Sequence, residues 1–391
     1  MRVAINGAGV AGPALAFWLS RQGHEVLLVE QAPSPRRGGY VIDFWGLGYD
    51  LAERMGVLPR ILDLGYQVAE VRFVDAHGRP QGGFGTAVFA KVTGGRFTSV
   101  RRSDLALTIA DALDGRVERL FGDSIAAIDD SGPRVRVSFE HAPSRDVDLV
   151  VGADGLHSRV RDLVFGPVAE VSLGYHVAAF EVSGYDRRDD LVYMTHGVPG
   201  RQVSRFSMRD DRTLFLFVVR DEYLPRGPIA ASARKAAVRR AFDGVGWECP
   251  RILELMDGVD DLYFDRVSQI RMDTWSRGRT VLIGDAAACV SLMAGEGTGL
   301  ALMEAYVLAG ELQASGGMVG PAFSRYEERL QGFLRRKQTM AARFASSFAP
   351  ATAAGVWMRN LVTRLFRVPL VATLLVGRQL RDDIVLPDYG G

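Results

Sequence analysis

Three short runs carry residue types that could hold a nucleotide-linked cofactor. The chain opens Val3-Ala4-Ile5-Asn6-Gly7-Ala8-Gly9-Val10-Ala11-Gly12, carries Gly152-Ala153-Asp154-Gly155 near its middle, and later reads Val281-Leu282-Ile283-Gly284-Asp285-Ala286-Ala287. Gly7, Gly9 and Gly12 fit the G-x-G-x-x-G spacing of a dinucleotide-binding turn. Gly7 permits the tight turn, Gly9 lets the backbone approach a pyrophosphate, and Gly12 lets the helix pack close to its strand. Unpaired amides at the start of that helix would face the phosphate charge. Glu30 stands about 20 residues on, where an acid is expected to accept hydrogen bonds from the adenosine ribose. Gln31 beside it is assigned to the same contact.

The elements that must position these residues show in the pattern. Ala11, Ala14, Leu15, Trp18 and Leu19 recur at helical spacing and make one apolar face. Gly23 stops that helix, and residues 26–29 read as a second strand. A loop over 33–39 leads to a strand at 40–44, and 71–97 reads as a hairpin excursion. A helix from 103 to 113 and short strands at 117–121, 135–139 and 149–151 follow. From 171 to 220 strand-like runs succeed one another without a long helix, as in an antiparallel sheet inserted into an α/β domain. Helical pattern returns over 230–257, a buried strand at 280–283, and a long helix from 297 to 312.

The expected fold class is therefore α/β (α+β overall), a Rossmann-like domain with an inserted antiparallel-sheet domain and C-terminal helices. The first domain is drawn at 1–70, 98–170 and 272–345, the inserted one at 71–97 and 171–271, and a C-terminal helical segment at 346–391. Residues 358–380 mix apolar side chains with arginines. Pro369 interrupts them and the polar face is not strongly basic, so a packed helix is expected rather than one lying on a membrane.

With these motifs in this order, the chain resembles the flavin-dependent aromatic hydroxylases typified by para-hydroxybenzoate hydroxylase. Within them it is similar to the single-component tetracycline-inactivating monooxygenases and related polyketide-tailoring enzymes. The likeness spans roughly residues 1–345. It implies that Gly7, Gly9, Gly12 and Glu30 bind the ADP part of FAD. It also implies that Arg102, in Arg102-Ser103-Asp104-Leu105, reaches the FAD phosphates, where a guanidinium can hold two oxygens at once. Arg36 and Arg37 are weaker candidates for the same cofactor. Asp154-Gly155, with Ser158, Val160 and Arg161, resembles the family's D-G-x-x-S-x-V-R element, associated with both FAD and NAD(P)H.

By the same resemblance Asp285 meets the FAD ribityl chain, and Gly295-Glu296-Gly297-Thr298-Gly299 opens a helix whose free amides face the flavin pyrimidine edge. Negative charge grows on that edge in reduced flavin, and a helix N-terminus stabilises it. Two positions depart from the family: Ala288 stands where histidine is usual and Leu292 where proline is usual. Both put the orientation of substrate and the movement of flavin in question.

What the resemblance implies is a single-component FAD-dependent monooxygenase. NADPH or NADH would reduce FAD as a transient reductant, and O2 would then form a C4a-hydroperoxyflavin that hydroxylates an aromatic or polyketide-like molecule. No residue of the chain is assigned as a catalytic acid, base or nucleophile, since the flavin carries the chemistry. Substrate candidates are Asp43, Phe206, Phe215, Phe217, Leu292 and Met293. Two other readings stand beside it: a flavin oxidase or dehydrogenase of a small hydrophobic substrate, and a non-catalytic FAD-binding redox module.

Composition narrows the field further. Net charge is +1, with 48% hydrophobic and 24% charged residues, so nothing points to nucleic acid or an anionic membrane. Lysine occurs only at 91, 235 and 337 among many arginines. Cys249 and Cys289 form no ligand pair, and the six histidines show no metal spacing. The first residues run straight into a strand and no apolar run is long enough to span a bilayer, so a cytoplasmic protein is expected.

Overall fold

A computed structural model of the chain describes residues 1–35, 40–86, 93–187, 189–260, 262–291, 295–366 and 382–390. Its first sheet has six strands in the order Ser276–Arg277, Thr280–Leu282, Leu149–Gly152, Arg2–Asn6, Glu25–Glu30, Glu118–Phe121. All pairs are parallel except the outermost, Ser276–Arg277 with Thr280–Leu282. Arg2–Asn6 and Leu149–Gly152 are buried almost throughout: the helix Ala11–Arg21 packs on the sheet, and a short antiparallel sheet of Ile125–Asp129, Val135–Phe139 and Arg145–Val147 joins the same core. The chain leaves Arg2–Asn6 to one side, towards Glu25–Glu30, and later returns on the other side at Leu149–Gly152. This places a crevice at the carboxyl end of the first strand.

The helix Ala11–Arg21 is buried over most of its length, wedged between the sheet and the helix Gly297–Ala314. Gly297–Ala314 is itself almost wholly buried, and Val319–Ala345 packs along it.

The second sheet has seven strands, ordered Tyr263–Ile270, Glu170–Ser183, Arg212–Arg220, Arg201–Ser207, Val192–Val198, Glu70–Val74, Pro80–Gly85. It is antiparallel apart from one parallel pair, Val192–Val198 with Glu70–Val74. The 70–85 hairpin thus joins the same sheet as the strands after 170. One face carries Phe180, Val203, Phe215 and Phe217 and packs on the helices Arg234–Ala241 and Cys249–Asp257. The other carries Ala179, Phe206 and Leu214 and packs on Tyr66 and Val68, with Tyr40 and Val41 at the edge of the cluster. A two-stranded ribbon, Val41–Trp45 with Phe97–Arg101, stands between the two large sheets.

The helix Ala353–Leu365 covers the 70–85 end of the second sheet. It docks through polar groups: Arg359 lies over the Phe73 ring and donates to Gln202 Oε1 at 2.8 Å. Among the described residues no helix is long and apolar enough to cross a membrane.

Candidate active site

The first turn is a cradle for a dinucleotide. Gly7 has φ +108°, a conformation that side-chain-bearing residues rarely adopt. A Cβ there would lie 2.3 Å from the Ala153 carbonyl oxygen, and one at Gly12 would lie 2.0 Å from the Gly7 carbonyl oxygen. At Gly9, by contrast, an added Cβ would meet no protein atom within 4 Å. Two glycines therefore serve close packing, and the third leaves room beside the turn for a pyrophosphate. Glu30 braces the same turn, accepting from the Ala8 amide at 2.8 Å and the Ala32 amide at 3.0 Å. Gln31, next to it, is exposed.

Asp154 organises rather than faces the crevice. Its carboxylate accepts from Asn6 Nδ2 at 2.9 Å, Ser158 Oγ at 2.5 Å, and the Arg159 and Val160 amides at 2.8 and 3.1 Å. It thus ties the end of the first strand to the start of the helix Arg159–Phe165. Arg161, buried in that helix, donates to the carbonyls of Leu156 at 2.8 Å and Ala286 at 3.2 Å. This guanidinium adds to the strand pairing of Gly152 with Leu282 and to the Ile283 amide's hydrogen bond with the Gly152 carbonyl in fastening the second motif to the third.

Asp285 begins the short helix Asp285–Ala288, and Ala288 closes it, buried. The turn before it rests on a residue that the motifs do not name. Glu304, 1% exposed, accepts from the Gly284 amide at 2.7 Å and from the Tyr326 hydroxyl at 3.1 Å. Burial pushes its carboxyl up to about 8, against those two hydrogen bonds and with help from the charge of Asp285. A lone acid inside the apolar run Leu300-Ala301-Leu302-Met303-Glu304-Ala305 was the available signal.

Two helix starts lie side by side next to this motif. Gly297–Ala314 and Gly46–Arg54 cross so closely that a Cβ on Gly48 would be 2.5 Å from Gly299 Cα. Neither helix has a side-chain cap of its own at its N-cap residue. Both open on a cleft lined by Asp43, Trp45, Leu47, Gly295, Glu296 and Asp382. Thr298 is buried in the first turn of its helix, and Gly295 has φ +69°.

Asp43, which lines the cleft, has Tyr193 beside it, while Tyr40 and Tyr263 stand beside Arg102 and Asp285. Enclosure pushes the Tyr40 phenol up to about 12, and raises Tyr263 and Tyr193 above the usual tyrosine value. The neighbouring charge of Asp43 pushes Tyr193 the same way. Enclosure likewise raises the Asp43 carboxyl, against the hydrogen bond it accepts from Ser99 Oγ at 2.6 Å. Burial opposes the Arg102 charge, but Tyr40, Asp285 and Tyr263 more than compensate. Arg102 and Asp285 therefore act on one another. The Tyr40 and Tyr263 rings are 5.5 Å apart, and Tyr193 stacks on Phe206 at 4.7 Å.

The sequence-derived residues do not all reach this cleft. Gly7, Gly9, Gly12, Glu30, Arg102, Asp285, Gly295, Gly297, Thr298 and Gly299 surround the crevice and the two helix starts. Asp43 lines the cleft, whereas Phe206 is fully buried beneath the stacked Tyr193 ring. Phe215 and Phe217 lie fully buried on the opposite face of the sheet, against Phe180, Tyr185 and Phe242. Strand alternation decides this, since Leu214 and Leu216 take the cleft side. Arg36, Arg37, Leu292 and Met293 lie outside the described residues. The three tyrosines beside these charged groups had no sequence signal, because a tyrosine in a strand reads as core.

Comparison with known proteins follows this geometry. Residues 1–317 match the FAD-binding-domain family. The uncharacterized protein MT1298 of Mycobacterium tuberculosis (strain CDC 1551 / Oshkosh) is 38% identical over 349 residues, covering 87% of this chain and 92% of that protein. A flavin-dependent monooxygenase from an unknown prokaryotic organism is 32% identical over 357 residues, covering 89% and 90%. Among solved structures, tetracycline destructase Tet(51) has a TM-score of 0.84 at 30% identity, covering 99% of either chain.

Proposed function

The chain belongs to the FAD-binding-domain family and is an FAD-dependent monooxygenase; from that premise we propose that it takes NADPH or NADH as reductant and O2 as oxidant, and hydroxylates an aromatic or polyketide-like small molecule. The observation that carries this reading is the placing of tyrosines beside charged groups, Tyr193 next to Asp43 in the cleft wall and Tyr40 and Tyr263 next to Arg102 and Asp285.

The residues fit FAD. The 7–12 turn leaves open space at Gly9, where the pyrophosphate would lie; Glu30 and Gln31 would hold the ribose and Arg102 the phosphates. Asp154 acts on this half indirectly, by fixing Asn6 and the turn that follows it. Asp285 would hold the ribityl chain, and the amides of Gly295, Gly297, Thr298 and Gly299 at the helix start would face the pyrimidine edge. When bound, FAD supplies the redox chemistry, accepting hydride and activating oxygen.

The chain's own part is binding, orientation and exclusion of water. The raised phenol values keep Tyr40, Tyr193 and Tyr263 protonated at neutral pH, so each can donate to a ring oxygen. Asp43 offers an acceptor beside Tyr193, oriented by Ser99. Aromatic faces with hydroxyl rims suit a flat, oxygen-bearing polycycle better than an aliphatic acid. The likeness to a tetracycline destructase supports the same substrate class.

The test is to load the protein with FAD and mix it anaerobically with NADPH, then NADH, while following flavin absorbance. Bleaching by either, and label from ¹⁸O2 in the product of a screened phenolic substrate, is the expected result. Reduction by substrate alone with peroxide as the only oxygen product would replace this reading by the oxidase. Failure to bind FAD would remove it.

A further inference from the structure

Glu296, in the glycine loop before the Gly297–Ala314 helix, pairs with the ammonium of Lys337 at 2.8 Å. The same ammonium pairs with Asp382 Oδ1 at 3.0 Å. The Lys337 side chain is only 7% exposed, and those of Glu296 and Asp382 only 16% and 15%. The second oxygen of Asp382 accepts from the Leu47 amide at 2.9 Å, in the first turn of the Gly46–Arg54 helix. One buried cation therefore ties together both helix starts of the cleft, and a residue far along the chain supplies the cap that the 46–54 helix lacks.

The segment bearing Asp382 is docked by its own sequence. Ile384, Leu386 and Tyr389 pack on the main core. The Tyr389 hydroxyl donates to Glu311 at 2.5 Å, and the Tyr306 hydroxyl donates to the Pro387 carbonyl at 3.1 Å. Gly310 lies inside a helix, where glycine costs about 1 kcal/mol relative to alanine. A Cβ there would be 2.1 Å from the Tyr389 ring. That glycine makes room for the tail.

We propose that the C-terminal segment 382–390 is part of the cofactor site, with Asp382 and Lys337 as positioning residues that set the spacing and charge of the two helix starts around the flavin pyrimidine edge. The proposal rests on the FAD reading above. The triad brings two carboxylates and one ammonium to an edge where reduced flavin gains negative charge. Removing an anion there favours reduction, and removing the cation disfavours it.

The experiment measures FAD affinity and the midpoint potential of bound flavin in full-length D382N and K337Q, with D382E as rescue and M318A as a control at an exposed position outside the segment. D382N is expected to bind FAD several-fold more weakly and to raise the potential, K337Q to lower it, and D382E to restore both quantities. M318A is expected to match the parent. A D382N protein with parental affinity and potential would overturn the proposal, as would shifts of the same sign in D382N and K337Q. D382N is decisive alone if K337Q does not fold. A parent protein that binds no FAD would instead overturn the functional reading itself.

Discussion

The two faces of the seven-stranded sheet are made from similar residues and do opposite work. The far face is closed: Phe215, Phe217 and Phe180 interlock with two helices, and no polar group among them reaches water. The near face buries Phe206 and Leu214 as well, but Tyr193 and Tyr263 beside them are only half-buried, with their rings against Phe206 and Tyr40. The same contrast holds in the glycine turn, where Gly7 and Gly12 are filled by protein and Gly9 faces space. In this turn Gly7 and Gly12 serve folding, whereas Gly9 is free to serve a ligand. Separating stability from binding by mutation tests that distinction.

The largest effect is expected at the turn. Gly12→Ala puts a methyl 2.0 Å from the Gly7 oxygen, so it should lose several kcal/mol of stability, or fold poorly, and lose FAD as well. Gly9→Ala clashes with nothing in the protein and should keep the parental melting temperature while FAD affinity falls by at least an order of magnitude. Thermal melts of the apoproteins and flavin titrations measure both. Equal melting losses in the two variants would dissolve the distinction.

The cradle was readable because backbone demands leave a spacing: three glycines and an acid can be counted along one strand–helix unit. The cleft wall leaves none. Residues 214–217 read Leu-Phe-Leu-Phe, apolar at every position because both sheet faces are buried, so the alternation that would have shown which face meets the cleft is absent. Phe215 and Phe217 were assigned to the wrong side for that reason. Asp154 was legible as a motif, but its hydrogen bonds show it holding the scaffold. Lys337 and Asp382 meet Glu296 only through tertiary packing, which no local pattern records.

The sheet itself gives the next largest effect. Phe215→Ala empties a site with 0% exposure and should cost about 3–5 kcal/mol in urea unfolding. Tyr193→Phe keeps the ring on Phe206 and removes only the cleft hydroxyl, so stability should move by no more than about 0.5 kcal/mol. Its signature is a raised KM for a phenolic substrate with flavin binding unchanged. A Tyr193→Phe protein as unstable as Phe215→Ala would mean that the near face is core like the far one.

The smallest effect lies beneath the third motif, where a buried polar group belongs to the packed side of the comparison. Glu304 titrates at about 8 in the folded chain against an ordinary 4.5, burial being the main cause. The folded state therefore holds a proton that the unfolded chain releases between those values. Its contribution to stability is complete below pH 4.5 and is lost as pH rises through 8. Glu304→Gln keeps an oxygen for the Gly284 amide and has no proton to release. Its melting temperature should stay near the parent's at pH 5 and exceed it by several degrees at pH 8.5. A gap that does not change with pH would show that Glu304 stays ionised. The Gly284-Asp285 turn would then rest on a buried charge rather than on a neutral acid.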